Sequence, residues 1–235
     1  MSLRNSLSLV LAPPHPAGKP FIWGGALVAV LGGLLVSDWL FWLGAAFALF
    51  CLYFFRDPKR VPPPRPHLVL APADGKIVMV GPAVPPPELE MGPAPRQRVA
   101  IFLSVLDVHV NRSPVQGVVG KRAYRAGKFF DASLDKASEH NERNGLRLDL
   151  PGGGSVGCVQ IAGLVARRIL CSAQPGDSLL AGERYGIIRF GSRTDVYLPE
   201  GVEPLVSVGQ RTVGGETVLA EMAPAGMAPA GPGRA

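Results

Sequence analysis

The stretch Gly186-Ile-Ile-Arg-Phe-Gly-Ser-Arg-Thr-Asp-Val-Tyr-Leu-Pro199 sets a Gly191-Ser192 pair between two strand-like runs. Such a pair admits two readings. Glycine tolerates backbone geometries that other residues avoid, so the pair can be an ordinary bulge or turn. It can also be a bond that cuts itself. The Ser192 hydroxyl attacks the Gly191 carbonyl, where no side chain blocks it, and the amide becomes an ester. β-Elimination and hydrolysis then leave a pyruvoyl group on the new N-terminus. That ketone is a built-in electrophile, able to form a Schiff base with an amine and to accept electrons as a carboxylate leaves.

Strands must hold such a bond, and the surrounding chain supplies them. Residues 68–80 read as strand, turn at Asp74-Gly75, strand. A Pro-rich loop covers 81–96. Val99–Val105 is a strong strand pattern, and Val108–Val110 is expected to continue it. Further strands are expected at Gly117–Tyr124, Leu146–Leu150, Ser155–Ile161, Arg167–Cys171, Ile187–Phe190 and Thr194–Leu198, with Pro151-Gly-Gly-Gly154 as a turn. Residues 131–144 are polar and read as a short helix or loop. Near the end, Val206–Ala220 places Gly209 and Gly215 in turns between short strands. It looks like half of a biotinyl/lipoyl barrel-sandwich fold, and Ala71–Val78 like its opening strand pair. Carriers of that fold need a lysine on a hairpin tip; no lysine follows Lys136, which disfavours a carrier.

The reading is therefore a mainly β (α+β) fold, a barrel-sandwich-hybrid-like domain over 66–222. A hydrophobic helical hairpin over 21–55 and a basic Pro-rich linker over 56–65 precede it. The ends read as disordered, 1–20 being polar and Pro-rich and 223–235 Ala/Pro/Gly-rich. The apolar runs Phe21–Val36 and Trp39–Phe55 are each slightly short of the about 20 residues of a full span. Together they fit a hairpin that enters or just crosses a bilayer, with Trp23, Trp39, Trp42 and Tyr53 as interface anchors. A buried helical pair in a soluble core is the plainer alternative. Arg4 and Lys19 precede the runs, and Arg56, Lys59, Arg60 and Arg65 follow them. Positive charge on both flanks puts both ends, and the β domain, on the cytoplasmic face of the cell membrane.

The chain has 235 residues and a net charge of +6, which suits an anionic membrane surface. No basic run interleaves with aromatics, so nucleic acid is not expected as a partner. The cysteines are Cys51, Cys158 and Cys171, odd in number and without metal-ligand spacing. They read as reduced packing residues, and no metal is expected.

Five stretches, in order, carry a resemblance. They are Tyr53-Phe-Phe-Arg-Asp-Pro58, Pro72-Ala-Asp-Gly75, Phe102-Leu-Ser-Val-Leu-Asp-Val-His-Val-Asn-Arg-Ser-Pro114, Asn141-Glu-Arg143 and Phe190-Gly-Ser-Arg-Thr-Asp195. The chain resembles phosphatidylserine decarboxylase proenzymes, in the short form of that pyruvoyl-dependent family, from about residue 50 to 220. Longer members carry Gly-Ser-Thr at the cleavage site, where Arg193 stands here. They also carry two histidines in the mid-domain motif. His109 matches the first, and Arg112 occupies the second position.

The resemblance implies decarboxylation of phosphatidylserine to phosphatidylethanolamine and carbon dioxide, after cleavage between Gly191 and Ser192. Ser192 would become the pyruvoyl group. Asp74, by local chemistry an ordinary turn residue, would be the acid of a Ser/His/Asp-like arrangement that activates Ser192. His109 would be proton donor or base, and His140 is a second candidate base. Which one drives self-cleavage stays open. Arg112, Arg143 and Arg193 could bind the phosphodiester or the serine carboxylate. The expected partners are the membrane phospholipid substrate, an anionic membrane surface, and the chain's own fragments 1–191 and 192–235 paired as a heterodimer, with a higher oligomer open. Two alternatives stand beside this reading: a decarboxylase of a related ether lipid, and a non-enzymatic membrane-anchored adaptor.

Overall fold

The computed structural model describes residues 12–127, 141–163, 168–189 and 192–222. The chain divides into two compact units, residues 1–59 and 60–235.

The first unit is a helical pair. Helix α1 spans Lys19–Leu35 and α2 spans Asp38–Phe54. Small residues at i and i+4 on each helix let the backbones meet. A Cβ added at Gly44 would lie 2.4 Å from the Ala29 nitrogen, and one at Gly25 2.9 Å from the Ala48 nitrogen. This is the packing that small residues allow between apolar helices. The outward faces are apolar as well, with Trp23, Leu34, Trp39 and Trp42 exposed. The helical segment Pro16–Leu35, 20 residues with a mean hydropathy of 1.4, is long and apolar enough to cross a membrane; Asp38–Phe54 is shorter. The pair agrees with the hydrophobic hairpin read from the sequence.

The described part of the second unit is mainly β. Its strands are β1 (Leu68–Leu70), β2 (Gly75–Ala83), β3 (Arg96–Leu103), β4 (Val110–Arg112), β5 (Gly117–Arg125), β6 (Arg143–Asp149), β7 (Ser155–Ala162), β8 (Arg168–Cys171), β9 (Ser178–Leu179), β10 (Arg184–Arg189), β11 (Ser192–Tyr197), β12 (Arg211–Thr212) and β13 (Val218–Glu221). Eight of them form one curled sheet in the order β12-β2-β3-β11-β7-β6-β5-β9. A second sheet runs β4-β10-β8, and β1 pairs with β13. The described pairings are antiparallel.

The main core gathers Val69, Ile77, Ile101, Leu103, Leu146 and Val196 on one face of the large sheet. The other face is covered at its centre by Leu89 and Met91, which pack on Val159, Ile161 and Tyr197. Leu89 ends a short 3-10 turn, Pro87–Leu89, inside the Pro-rich segment expected to be plain loop. Both faces being covered, every residue of β7 and β11 is buried.

Two expectations fail. Residues 16–20, read with the rest of 1–20 as disordered, form a 3-10 turn at Pro16–Gly18 and the start of α1. Val108–Val110 does not continue the strand before it. β3 ends at Leu103, and β4 belongs to the other sheet. The Asp107 carboxylate accepts the Ser104 N–H at 2.9 Å, closing a turn that takes the chain out of the ladder.

Candidate active site

Ser192 opens β11, with Leu103 of β3 and Ala162 of β7 as its register partners. It is fully buried, and among the described residues its hydroxyl makes no hydrogen bond. A buried hydroxyl without a partner is costly and is rarely left so without a role. Its cross-strand neighbours are apolar, so the space around its Cβ would also suit a methyl ketone.

His109 is brought to this end of the sheet by the turn that breaks β3. Its Nδ1 lies 3.0 Å from the Asp107 carbonyl oxygen. With Nδ1–H donating there, Nε2 carries the lone pair. The His109 carbonyl accepts the Ile188 N–H at 3.3 Å. Ile188 belongs to a small buried cluster with Ile169 and Ala162, the latter the register partner of Ser192. The histidine and the serine are thus tied to the same patch of backbone from two sides.

Asp74 precedes β2. Its Oδ2 accepts Arg60 Nη2 at 2.7 Å, and its Oδ1 accepts the Gly214 N–H at 2.8 Å. Burial pushes its carboxyl above the ordinary value; Arg60 and the Gly214 N–H pull it back in part, and the charge of Asp107 adds to the rise. Lys76 pairs with Phe102, and Leu103 with Ser192, so Asp74 sits at the same sheet end with β3 between it and the serine. Two strand spacings put their backbones about 10 Å apart. Asp74 and His109 do not hydrogen-bond to each other. The Asp107 backbone, rather than a carboxylate, orients the imidazole.

The three arginines have different surroundings. Arg112 is buried, with Nη1 donating to the Gly182 carbonyl at 3.1 Å. It and Arg60 both lie against Gly215, next to the N–H that holds Asp74. Arg193 follows Ser192 on a strand, so its side chain leaves from the opposite face. There it is fully buried and makes a bidentate pair with Asp195, at 2.6 and 2.7 Å. Arg143 lies on that same face, with Nη2 2.5 Å from the Glu88 carboxylate. His140 and Gly191 lie outside the described residues. A cavity lined by Leu68, Leu150, Pro199 and Met222 lies at the Tyr197 end of β11 and contains none of the candidate residues.

Several contributors were not read from the sequence. Arg60, taken there only as a basic flank of the membrane hairpin, is the counter-ion of Asp74. Asp107 builds the His109 turn; its place two residues before the histidine was the available signal. Asn111, Gln160 and Asn144 form a buried amide chain beside β11. Gln160 Nε2 donates to Asn111 Oδ1 at 2.7 Å, and Asn144 Nδ2 to Gln160 Oε1 at 2.9 Å. Gln160 faces Thr194 across the β7–β11 ladder. Among the described residues, no group of three or more His, Cys, Asp or Glu side chains could hold a metal ion.

Comparison with known proteins gives these parts a common frame. Residues 47–220 match the family model described as phosphatidylserine decarboxylase. The chain is 66% identical to a phosphatidylserine decarboxylase proenzyme of Granulibacter bethesdensis over 213 residues, covering 91% of this chain and 87% of the relative. It is 62% identical to one of Gluconobacter oxydans, covering 91% and 96%. It is 55% identical to one of Cereibacter sphaeroides, covering 88% of each. With a family model spanning most of the chain and relatives this similar along nearly their whole length, the chain belongs to the phosphatidylserine decarboxylase family.

Proposed function

We propose that this chain is the proenzyme of a membrane-associated phosphatidylserine decarboxylase that matures by cutting itself between Gly191 and Ser192. One observation carries the reading: a fully buried serine hydroxyl without a hydrogen bond among the described residues, on a central strand, at the sheet end where His109 is locked in one orientation.

The chain's own residues divide the work. Ser192 Oγ attacks the preceding carbonyl carbon, and His109 Nε2 takes the proton. Asp107 holds the imidazole through its carbonyl and the turn through its carboxylate. Asp74, its carboxyl raised by burial, stabilises positive charge gathering at this end while Arg60 keeps it in place. Leu103 and Ala162 keep water from the Ser192 side chain. The pyruvoyl group made from Ser192 supplies the carbonyl that captures the substrate amine and draws off the electron pair as carbon dioxide leaves. His109 is then placed to return a proton to the substrate carbon. Arg112, beside Asp74 and Arg60, is the arginine at this end of the sheet best placed to meet the phosphodiester. Arg143 and Arg193, on the other face and paired with acids, are better suited to holding β6 and β11 in register.

The two fragments stay together for a structural reason. β11 comes from the fragment 192–235, and it is hydrogen-bonded between β3 and β7 of the fragment 1–191. The helical pair, with its apolar outer faces, anchors the enzyme in the cell membrane. The basic residues on both flanks support a β domain on the cytoplasmic face.

The test is turnover. Purified full-length protein given phosphatidylserine vesicles should form phosphatidylethanolamine and carbon dioxide in equal amounts, and the Ser192→Ala protein should form neither. An ether-linked analogue offered in competition separates the alternative lipid backbone. Product formation by Ser192→Ala would reject the proposed chemistry.

A further inference from the structure

The turn between β3 and β4 carries two apolar side chains into solvent. Val105 is 40% exposed and Leu106 64%. The turn does not need them there for its own shape. Its Ser104 N–H and the guanidinium of Arg211 hold the Asp107 carboxylate, and the Asp107 carbonyl receives His109 Nδ1. A turn fixed by polar groups at its base therefore presents an apolar tip, next to the catalytic histidine.

The surface beside the tip is basic. Lys76 is exposed and has no ion pair among the described residues. Arg211, its register partner on β12, reaches across to Asp107 with a side chain 67% exposed. Asp107 and Asp74 each pair with an arginine, which leaves Lys76 a positive charge without an acid partner among the described residues.

We propose that the Val105-Leu106 tip and Lys76 form a docking surface for an anionic bilayer, the tip entering the headgroup layer while Lys76 meets lipid phosphate. The proposal rests on the decarboxylase reading. A diacyl lipid carries its serine headgroup at the water boundary and its chains in hydrocarbon. Ser192 is buried inside the same end of the sheet. An apolar tip beside His109 brings this end of the sheet to the headgroups and lets the chains remain in the bilayer.

The test uses the full-length chain with Cys171→Ser, which leaves only the buried Cys51 and Cys158, plus Leu106→Cys carrying an environment-sensitive fluorophore. Phosphatidylcholine vesicles containing phosphatidylglycerol should shift its emission to the blue, and vesicles of phosphatidylcholine alone should shift it less. No shift while the protein co-sediments with the vesicles, held by its helices, would overturn the proposal. A second variant, Val105→Glu with Leu106→Glu, should lose about tenfold in kcat/KM on vesicle phosphatidylserine. On a short-chain phosphatidylserine dispersed as monomers it should match the parent. An equal loss on both substrates would also overturn docking, making the tip a structural part of the site. Absence of turnover by the parent on either substrate would count against the decarboxylase reading, and the fluorophore would still decide the docking surface.

Discussion

Removing Arg60 tests whether Asp74 is a charged, held group. The background is Ser192→Ala, chosen because it should block self-cleavage, and the variant is Arg60→Met. Arg60 Nη2 and Asp74 Oδ2 are 2.7 Å apart, with side chains 7% and 18% exposed. With the charge centres about 4 Å apart and an effective dielectric of about 20, their attraction is about 4 kcal/mol. Breaking a buried pair from one side costs about 3–5 kcal/mol. Without Arg60 the carboxylate keeps the Gly214 N–H and still faces the charge of Asp107. Burial already raises its carboxyl above the ordinary 3.8, and the substitution raises it further. The sign follows from linkage: a folded value above the unfolded one gives stability that is present at low pH and lost as pH rises through the folded value. The variant, with the higher folded value, loses more. Its deficit against the parent should be small near pH 5 and open to about 3 kcal/mol near pH 8. Urea unfolding at both pH values measures it. Repeating the change on Asp74→Asn should shrink the deficit to below about 1 kcal/mol. A deficit independent of pH, or one unchanged beside Asn at position 74, would refute the reasoning and reduce Arg60 to a packing residue against Gly215.

Three further outcomes are expected. His109→Ala should slow self-cleavage about 10²–10⁴-fold, followed as fragment yield on a denaturing gel, and cleavage at the parent rate would remove His109 from that step. Asp195→Asn should destabilise the fold by about 3–5 kcal/mol, because it leaves Arg193 buried without its acid, whereas Asp195→Asn combined with Arg193→Met should recover most of that loss in urea unfolding. Burial pushes the Cys158 thiol up to about 12, above its ordinary value of 9.0. Stability should therefore fall as pH rises from 9 towards 12, and Cys158→Ser should flatten that slope by about 1.4 kcal/mol per pH unit in thermal melts.

The candidate reacting residue stands out in the sequence because the chemistry proposed for it is local: a Gly-Ser pair between two strand patterns is visible in a window of a dozen residues. The helical pair was legible for the same reason, as uninterrupted apolar runs. The strand after Val105 was misread because what ends it is distant. Asp107 closes the turn onto Ser104, and Arg211, 104 residues away in sequence, holds Asp107. Arg60 was read as a membrane flank because basic residues after an apolar run usually are; its partner Asp74 stands 14 residues on, across a Pro-rich linker. The face on which Arg193 sits could have been read. A residue adjacent to Ser192 on a strand points away from it, and Asp195, two residues further, shares its face. The amide chain Asn111–Gln160–Asn144 joins three strands by contacts spanning 49 and 16 residues, and no local pattern announces it.

The most direct test of the account is the mass of the mature protein under denaturing conditions. The account predicts two chains from the active preparation. One is residues 1–191, ending in a free carboxylate. The other is the 44 residues from 192 to 235 (235 − 191 = 44), its first residue lighter than serine by the change from a serine amine to a pyruvoyl ketone. A single unmodified chain of 235 residues in a preparation that turns over phosphatidylserine would contradict it.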